Sequence, residues 1–234
     1  MDEDLIEAIV EDAERLLAAA ADPTRAPDMA AYLKTDMPFW GVKAKARDEV
    51  VRELRKAHRI LDGDTYEGAV RALWAGARRE DKYVAIRIAR THEKLITLDR
   101  LPLYEEMVRE GAWWDLVDEI AVNLVGALVR AHPEQMLPVM DAWIEDDDMW
   151  IRRVAIIGQL KSKAATDEAR LFAYCDACCE EREFFIRKAI GWALREYSRT
   201  SPEATREYLR SRKEVLSRLS FREGARLMKA KGTM

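Results

Sequence analysis

The sequence predicts an all-α chain, built as an α-solenoid of stacked helical hairpins. Apolar residues recur at spacings of three and four along most of its 234 residues. No segment shows sustained alternation, and no Asn-Gly or Asp-Gly pair lies between two strand-like runs. Breaks recur often enough to leave helices about 10–20 residues long with short connections. About 12–14 such helices in succession favour stacked pairs, with a compact helical bundle as the alternative.

The helical stripes begin with Leu5-Ile6-Ile9-Val10. The cluster Ala31-Tyr32-Leu33-Lys34-Thr35-Asp36-Met37-Pro38-Phe39-Trp40-Gly41-Val42 reads as a helix–turn–helix junction, with Phe39 and Trp40 plugging one end. Val50-Val51-Leu54 marks the next helix, and Asp62-Gly63-Asp64 is a turn before another. Val84-Ile86-Ile88-Ala89 and Ala121-Val122-Leu124-Val125-Leu128-Val129 give two further stripes. Breaks fall near Asp22-Pro23, Met37-Pro38, Leu101-Pro102, His132-Pro133 and Ser201-Pro202. Pro133 and Pro202 suit first helical turns, where a missing N–H is no loss. A faint repeat places Ala-Ile pairs in cation-flanked helices at Ala85-Ile86, Ala155-Ile156 and Ala189-Ile190. The last two lie 34 residues apart, a spacing suited to two-helix repeats. Without a linker or low-complexity segment, residues 1–234 read as a single domain.

Apolar residues make up 49% and charged residues 35%, as in a soluble globular chain. No apolar run approaches the roughly 20 residues needed to span a bilayer, so no membrane association is expected. The acidic start Met1-Asp2-Glu3-Asp4 lacks the basic region of a signal peptide. Cys175, Cys178 and Cys179 crowd into five residues, which fits a reducing cytoplasm. Zinc would need further ligands, and the scattered His58, His92 and His132 do not supply them. The cysteines therefore read as ordinary helix thiols, and no metal or cofactor is expected. The net charge of −4 is unevenly spread. Residues 1–148 carry 20 Lys and Arg against 32 Asp and Glu, a balance of −12, whereas residues 149–234 carry 19 against 11, a balance of +8. A basic half on an acidic chain points to a localised anionic partner, or else to solvated helix faces.

Three segments carry the chemistry. In Glu110-Gly111-Ala112-Trp113-Trp114-Asp115-Leu116-Val117-Asp118, Trp114 and Asp118 share one helical face. An acid beside an aromatic surface is poor core material and suits a flat cationic ligand. In Trp150-Ile151-Arg152-Arg153, Trp150 and Arg153 share a face behind the acidic turn Glu145-Asp146-Asp147-Asp148. Arg153 fits either a bidentate phosphate contact or a pair with those acids. The third segment runs from Phe184 to Tyr197. It puts Phe185, Lys188 and Trp192 on one face, with Arg195 extending it, and interleaves cations with aromatics as nucleic-acid surfaces do. Taken singly, those aromatics read as core. Gly191 inside this helix implies close approach of another helix or a ligand. Phosphate-binding glycine loops, zinc-protease and serine-hydrolase motifs are absent, leaving carboxylates, aromatics and cations as the reacting groups.

Together these segments resemble the AlkD-type DNA alkylation-repair glycosylases. The resemblance rests on Tyr32 with Met37-Pro38-Phe39-Trp40-Gly41-Val42, Leu73-Trp74 with Arg79-Glu80, Trp113-Trp114-Asp115-x-x-Asp118, and Trp150-x-x-Arg153-x-Ala155-Ile156. It continues through Gln159-Leu160-Lys161, the long block from Phe184 to Tyr197, and Leu219-Ser220-x-Arg222-Glu223. It implies HEAT-like repeats wrapping duplex DNA on a basic concave face, and hydrolysis of the N-glycosidic bond of cationic N3- or N7-alkylpurines without base flipping. By position it makes Asp118 the catalytic carboxylate, Trp114 and Trp192 aromatic walls, and Arg153 a backbone contact beside the site. Tyr32 and Trp113 fall on the substrate side, Trp113 also bracing its helix. Phe184, Phe185, Lys188 and Arg195 fall on the DNA surface. The implied partner is double-stranded DNA containing alkylated purines, met by a cytoplasmic monomer. Two other readings are a non-catalytic binder of distorted DNA and a protein-interaction scaffold.

Overall fold

The computed structural model describes residues 1–230 and 232, and they contain no strand. Contacts gather the chain into two units, Met1–Leu103 and Tyr104–Met234.

The first unit holds α1 (Glu3–Ala19), α2 (Ala26–Leu33), α3 (Ala44–Ala57), α4 (Gly63–Trp74) and α5 (Arg79–Thr91), followed by short 3-10 turns at Glu93–Leu95 and Leu98–Arg100. Asp2 caps α1 through the Leu5 N–H at 3.0 Å, and Asp62 caps α4 through Asp64 and Thr65. The stripes Val50-Val51-Leu54 and Val84-Ile86-Ile88-Ala89 are buried, as the spacing predicts, whereas in α1 only Ile9 of Leu5-Ile6-Ile9-Val10 is buried and the core face continues through Ala13 and Leu17.

The junction before α3 is organised by a buried acid. The Glu80 carboxylate accepts the backbone N–H groups of Trp40, Gly41 and Val42, each at 2.9 Å. Trp40 also donates its indole N–H to Asp81 at 2.8 Å and lies under the Arg78 guanidinium. Gly41 has φ +81°, and a Cβ there would sit 2.0 Å from the Asp22 carbonyl oxygen, so only glycine fits. The motif residues around Trp40 and Glu80 are therefore structural.

The division between units falls within α6 (Leu101–Gly111). The second unit continues with α7 (Trp114–Ile120), a π turn (Ala121–Val125) and α8 (Gly126–Ala131). It then holds α9 (Pro133–Trp143), α10 (Met149–Ile157), a 3-10 turn (Lys163–Ala165), α11 (Glu168–Ala177), α12 (Phe184–Tyr197), α13 (Pro202–Ser211), α14 (Arg218–Gly224) and α15 (Arg226–Ala230). Pro133 and Pro202 open α9 and α13 as expected. The π turn departs from the uninterrupted helix that the apolar spacing predicts. Within it, Asn123 donates to the Glu119 carbonyl at 2.9 Å and to the Glu119 carboxylate at 3.0 Å, so the wider turn keeps a polar partner inside. Lys161 donates to the other end of the Asn123 amide at 2.7 Å.

The faint sequence repeat has a clear structural counterpart. On α9, Asp141 accepts from Tyr174 at 2.6 Å and from Arg170 at 2.9 Å, both on α11. On α11, Asp176 accepts from Tyr208 at 2.8 Å, on α13, and from Arg212 at its end at 2.9 Å. The same acid–tyrosine–arginine link thus recurs one helix pair along. The inner helices repeat as well: Ala155 and Ile156 on α10, and Ala189 and Ile190 on α12, are buried to within about 1%. Each pair leans on its sequence neighbours, as in helical-repeat folds.

Candidate active site

Four helices of the second unit, α7, α10, α12 and α14, build one cleft. Its volume is about 310 Å³, and its walls are Trp114, Asp118, Arg153, Phe184, Phe185, Lys188, Trp192, Arg195 and Glu223. Trp114 opens α7, and Asp118 follows one turn later on the same face. Trp192 and Arg195 lie on α12 with Lys188 one turn before Trp192.

Asp118 is gripped by Arg153. The guanidinium donates Nε to Oδ1 at 2.7 Å and Nη2 to Oδ2 at 2.8 Å, a planar two-point clamp. Its remaining nitrogen, Nη1, donates to the Phe185 carbonyl. Arg153 is only 4% exposed. Burial pushes the Asp118 pKa above the ordinary carboxylate value, the charges of Asp115 and Glu119 add to the rise, and the Arg153 clamp opposes both. The clamp uses one lone pair on each oxygen and leaves the others for a water or a cationic centre.

One wall of the cleft is backed by an aromatic block that includes the wall residue Phe185. Trp113 packs against Trp150 at 6.0 Å and against Phe185 at 5.2 Å, and Trp150 meets Phe185 at 5.0 Å between ring centres. Trp113 is the N-cap of α7, and its extended backbone directs the indole into this block. It follows Ala112, which adopts a left-handed φ of +33° to turn the chain from α6 into α7. Of the two tryptophans in sequence, only Trp114 lines the cleft. Trp113 braces Phe185, whose carbonyl in turn holds Arg153.

The cations expected at a DNA surface are partly committed. Arg195 donates to the Glu223 carboxylate at 2.7 Å, and Lys188 lies 3.4 Å from its other oxygen. Burial acts to raise the Glu223 pKa, but Lys188, Arg195 and Arg226 outweigh it and hold the carboxyl below its ordinary value. Phe184 stands at the mouth, 56% exposed.

Arg153 departs from the role of an open phosphate contact, because it is buried and three of its five N–H donors go to Asp118 and the Phe185 carbonyl. The acidic turn beside it pairs instead with other arginines. Arg152 donates to the Asp146 and Asp147 carbonyls and to Glu181, and Arg109 binds Asp146. Trp113 departs from the substrate side for the reason just given. Tyr32 belongs to the first unit, near the end of α2, and is 76% exposed. Gly191 answers to a helix: a Cβ there would lie 2.6 Å from the Glu223 Cβ and 3.1 Å from the Ser220 carbonyl oxygen, both on α14. The residue that sequence reasoning left without a role is Glu223, signalled only by its place beside Arg222 in the last motif.

A second cavity, of about 340 Å³, lies between α10, α11 and α12 and includes Gln159, Lys161, Lys163, Tyr197 and Arg199. It contains no acid–tryptophan pair. Cys175 and Cys178 are buried, and burial raises both thiol pKa values, that of Cys178 to about 12, which disfavours reactive thiolates. Among the described residues no group of His, Cys, Asp and Glu is placed to hold a metal ion. No helix among them is long and apolar enough to cross a membrane.

With the cleft defined, the chain can be set beside known proteins. A family model described as DNA alkylation repair enzyme matches residues 13–228. A solved structure described as a predicted DNA alkylation repair enzyme from Enterococcus faecalis is 31% identical and superposes with a TM-score of 0.81, covering 88% of this chain and 95% of that one. A search of curated proteins returned no match.

Proposed function

The chain belongs to the DNA alkylation repair enzyme family, and from that premise we propose that it is a DNA glycosylase releasing cationic N3- and N7-alkylpurines from duplex DNA. The observation that carries this reading is the Asp118–Arg153 clamp in one cleft with Trp114 and Trp192.

An alkylated purine of this kind carries a positive charge. When its bond to the sugar C1′ breaks, the bonding electrons go to the base, which leaves neutral and needs little general-acid help. The positive charge passes to the deoxyribose, giving an oxocarbenium-like state. Asp118 faces that charge as a fixed anion, and the indole faces of Trp114 and Trp192 add roughly 0.5–2 kcal/mol each through their quadrupoles. Water adds to C1′ and gives up a proton, which the free lone pairs of Asp118 can accept. The products are the free base and an abasic sugar.

Arg153 serves this chemistry as a positioning residue. It resists the burial that would neutralise Asp118, and it fixes the carboxylate plane. A cleft open to solvent suits a lesion met in place rather than flipped into a closed pocket. Phe184, Phe185, Lys188 and Arg195 form its DNA-facing edge, and the protein acts as a cytoplasmic monomer.

The test is incubation of wild-type protein with methylated duplex DNA followed by chromatography of the released bases. Release of 7-methylguanine or 3-methyladenine above the spontaneous rate is expected. If the protein binds the duplex but liberates neither base, it is a binder and not a glycosylase.

A further inference from the structure

Glu223 stands in the cleft wall but has no part in the chemistry just described. Its carboxylate is 14% exposed and lies beneath two cations, one on each oxygen, Arg195 at 2.7 Å and Lys188 at 3.4 Å. Those cations are more open, at 22% and 39%. The placement of Glu223 is built. Ser217 caps α14 through the Ser220 N–H at 3.0 Å, and the Ser220 hydroxyl donates to the Arg187 carbonyl of α12 at 3.0 Å. Gly191 admits the Glu223 Cβ against α12. At Gly224, a Cβ would meet the Leu194 Cβ at 3.2 Å, a second close approach of the same two helices. An acid so placed weakens the attraction of this edge for any polyanion, an odd device on a DNA-facing surface unless the acid has a use when DNA is absent.

We propose that Glu223 is an internal phosphate surrogate, a positioning residue that holds Lys188 and Arg195 at the cleft in the free protein and yields them to a phosphate of the DNA backbone on binding. The inference rests on the DNA-binding reading above. The group is one anion shared by two cations, as a backbone phosphate would be. The two side chains are thereby ordered before DNA arrives. The exchange lowers affinity for any duplex, because each binding event must separate the pairs it replaces. It therefore restrains retention on undamaged DNA, where binding is mostly electrostatic.

The experiment is fluorescence anisotropy of a labelled undamaged duplex over a series of KCl concentrations, comparing wild type with Glu223→Gln. Removing one negative charge frees about one further cation for phosphate. The plot of log affinity against log salt should therefore steepen by about one unit, with several-fold tighter binding at low salt. Glu203→Gln on α13 makes the same change in net charge away from the cleft and should leave the slope as in wild type. Glu223→Asp keeps the charge but withdraws it by one methylene, and should fall between wild type and Glu223→Gln. If circular dichroism shows that Glu223→Gln does not fold, Glu223→Asp decides alone. A slope unchanged in the Glu223 variants, or an equal change in Glu203→Gln, overturns the proposal. A wild-type protein that does not bind duplex at all overturns the functional reading and this inference with it, whereas wild-type binding without a Glu223 effect overturns this inference alone.

Discussion

Arg153 and Asp118, 35 residues apart in sequence, meet as a two-point ion pair whose arginine is almost wholly buried. The pair joins α7 to α10, so one contact both ties successive repeats and presents the acid to the cleft. Replacing Arg153 by Ala leaves a buried carboxylate without its partner, which should destabilise the fold by about 3–5 kcal/mol. A thermal melt measures this. Arg153→Lys restores charge without the planar fork and should recover stability more fully than base release. Equal recovery of both would remove the argument for geometry.

Asp118→Asn should lower base release by about 100- to 1,000-fold, the range for losing one preorganised electrostatic contact to a transition state. Single-turnover kinetics on duplex containing 7-methylguanine read the rate, and anisotropy on the same DNA should show binding within a few-fold of wild type. A variant releasing the base at the wild-type rate would show that Asp118 is not the catalytic carboxylate.

The acid side of the pH profile follows from burial. Because the Asp118 pKa is raised, its reactive carboxylate is lost on acidification at a pH above that of an ordinary aspartate. Activity should fall on the acid limb with a midpoint above that value. In stability the signs divide. The raised Asp118 contributes below its unfolded pKa and loses that contribution as pH rises through its folded pKa. Glu223 and Asp146, whose pKa values are lowered, contribute above their unfolded values and lose it as pH falls through their folded ones. A rate profile with its acid midpoint at or below the ordinary aspartate value would contradict the burial argument.

Gly191→Ala places a methyl group 2.6 Å from the Glu223 Cβ and 3.1 Å from a backbone oxygen of α14. Helix propensity alone would favour alanine by about 1 kcal/mol. Overpacking against a neighbouring helix should prevail, giving a net loss of about 1–2 kcal/mol in chemical denaturation. A stabilised variant would mean that α14 moves aside freely.

Much of this site was legible in one dimension. The face shared by Trp114 and Asp118 follows from helical period, and the approach of another element at Gly191 from the presence of glycine in a helix. The identity of that element did not follow, because α14 lies nearly 30 residues downstream. The partner of Arg153 was likewise hidden: four acids precede it in sequence, yet the one it binds comes from an earlier repeat. Trp113 and Trp114 look equivalent on paper, and only the N-cap geometry, after a left-handed Ala112, separates a brace from a wall. The all-helical fold and its core stripes were readable because they depend on local period. The π turn was not, since the apolar spacing of residues 121–129 fits an ordinary helix equally well.

That π turn has a consequence for how the chain can change. A wider turn shifts the angular phase of everything beyond it, and one residue corresponds to about 100° of helix rotation. Upstream, α7 must aim Trp114 and Asp118 at the cleft. Downstream, α8 must bury Leu128 and Val129. An uninterrupted helix would bind these two demands to one register. The turn at Ala121–Val125 lets the aim of the acid and the seating of the core be set independently on a single rod.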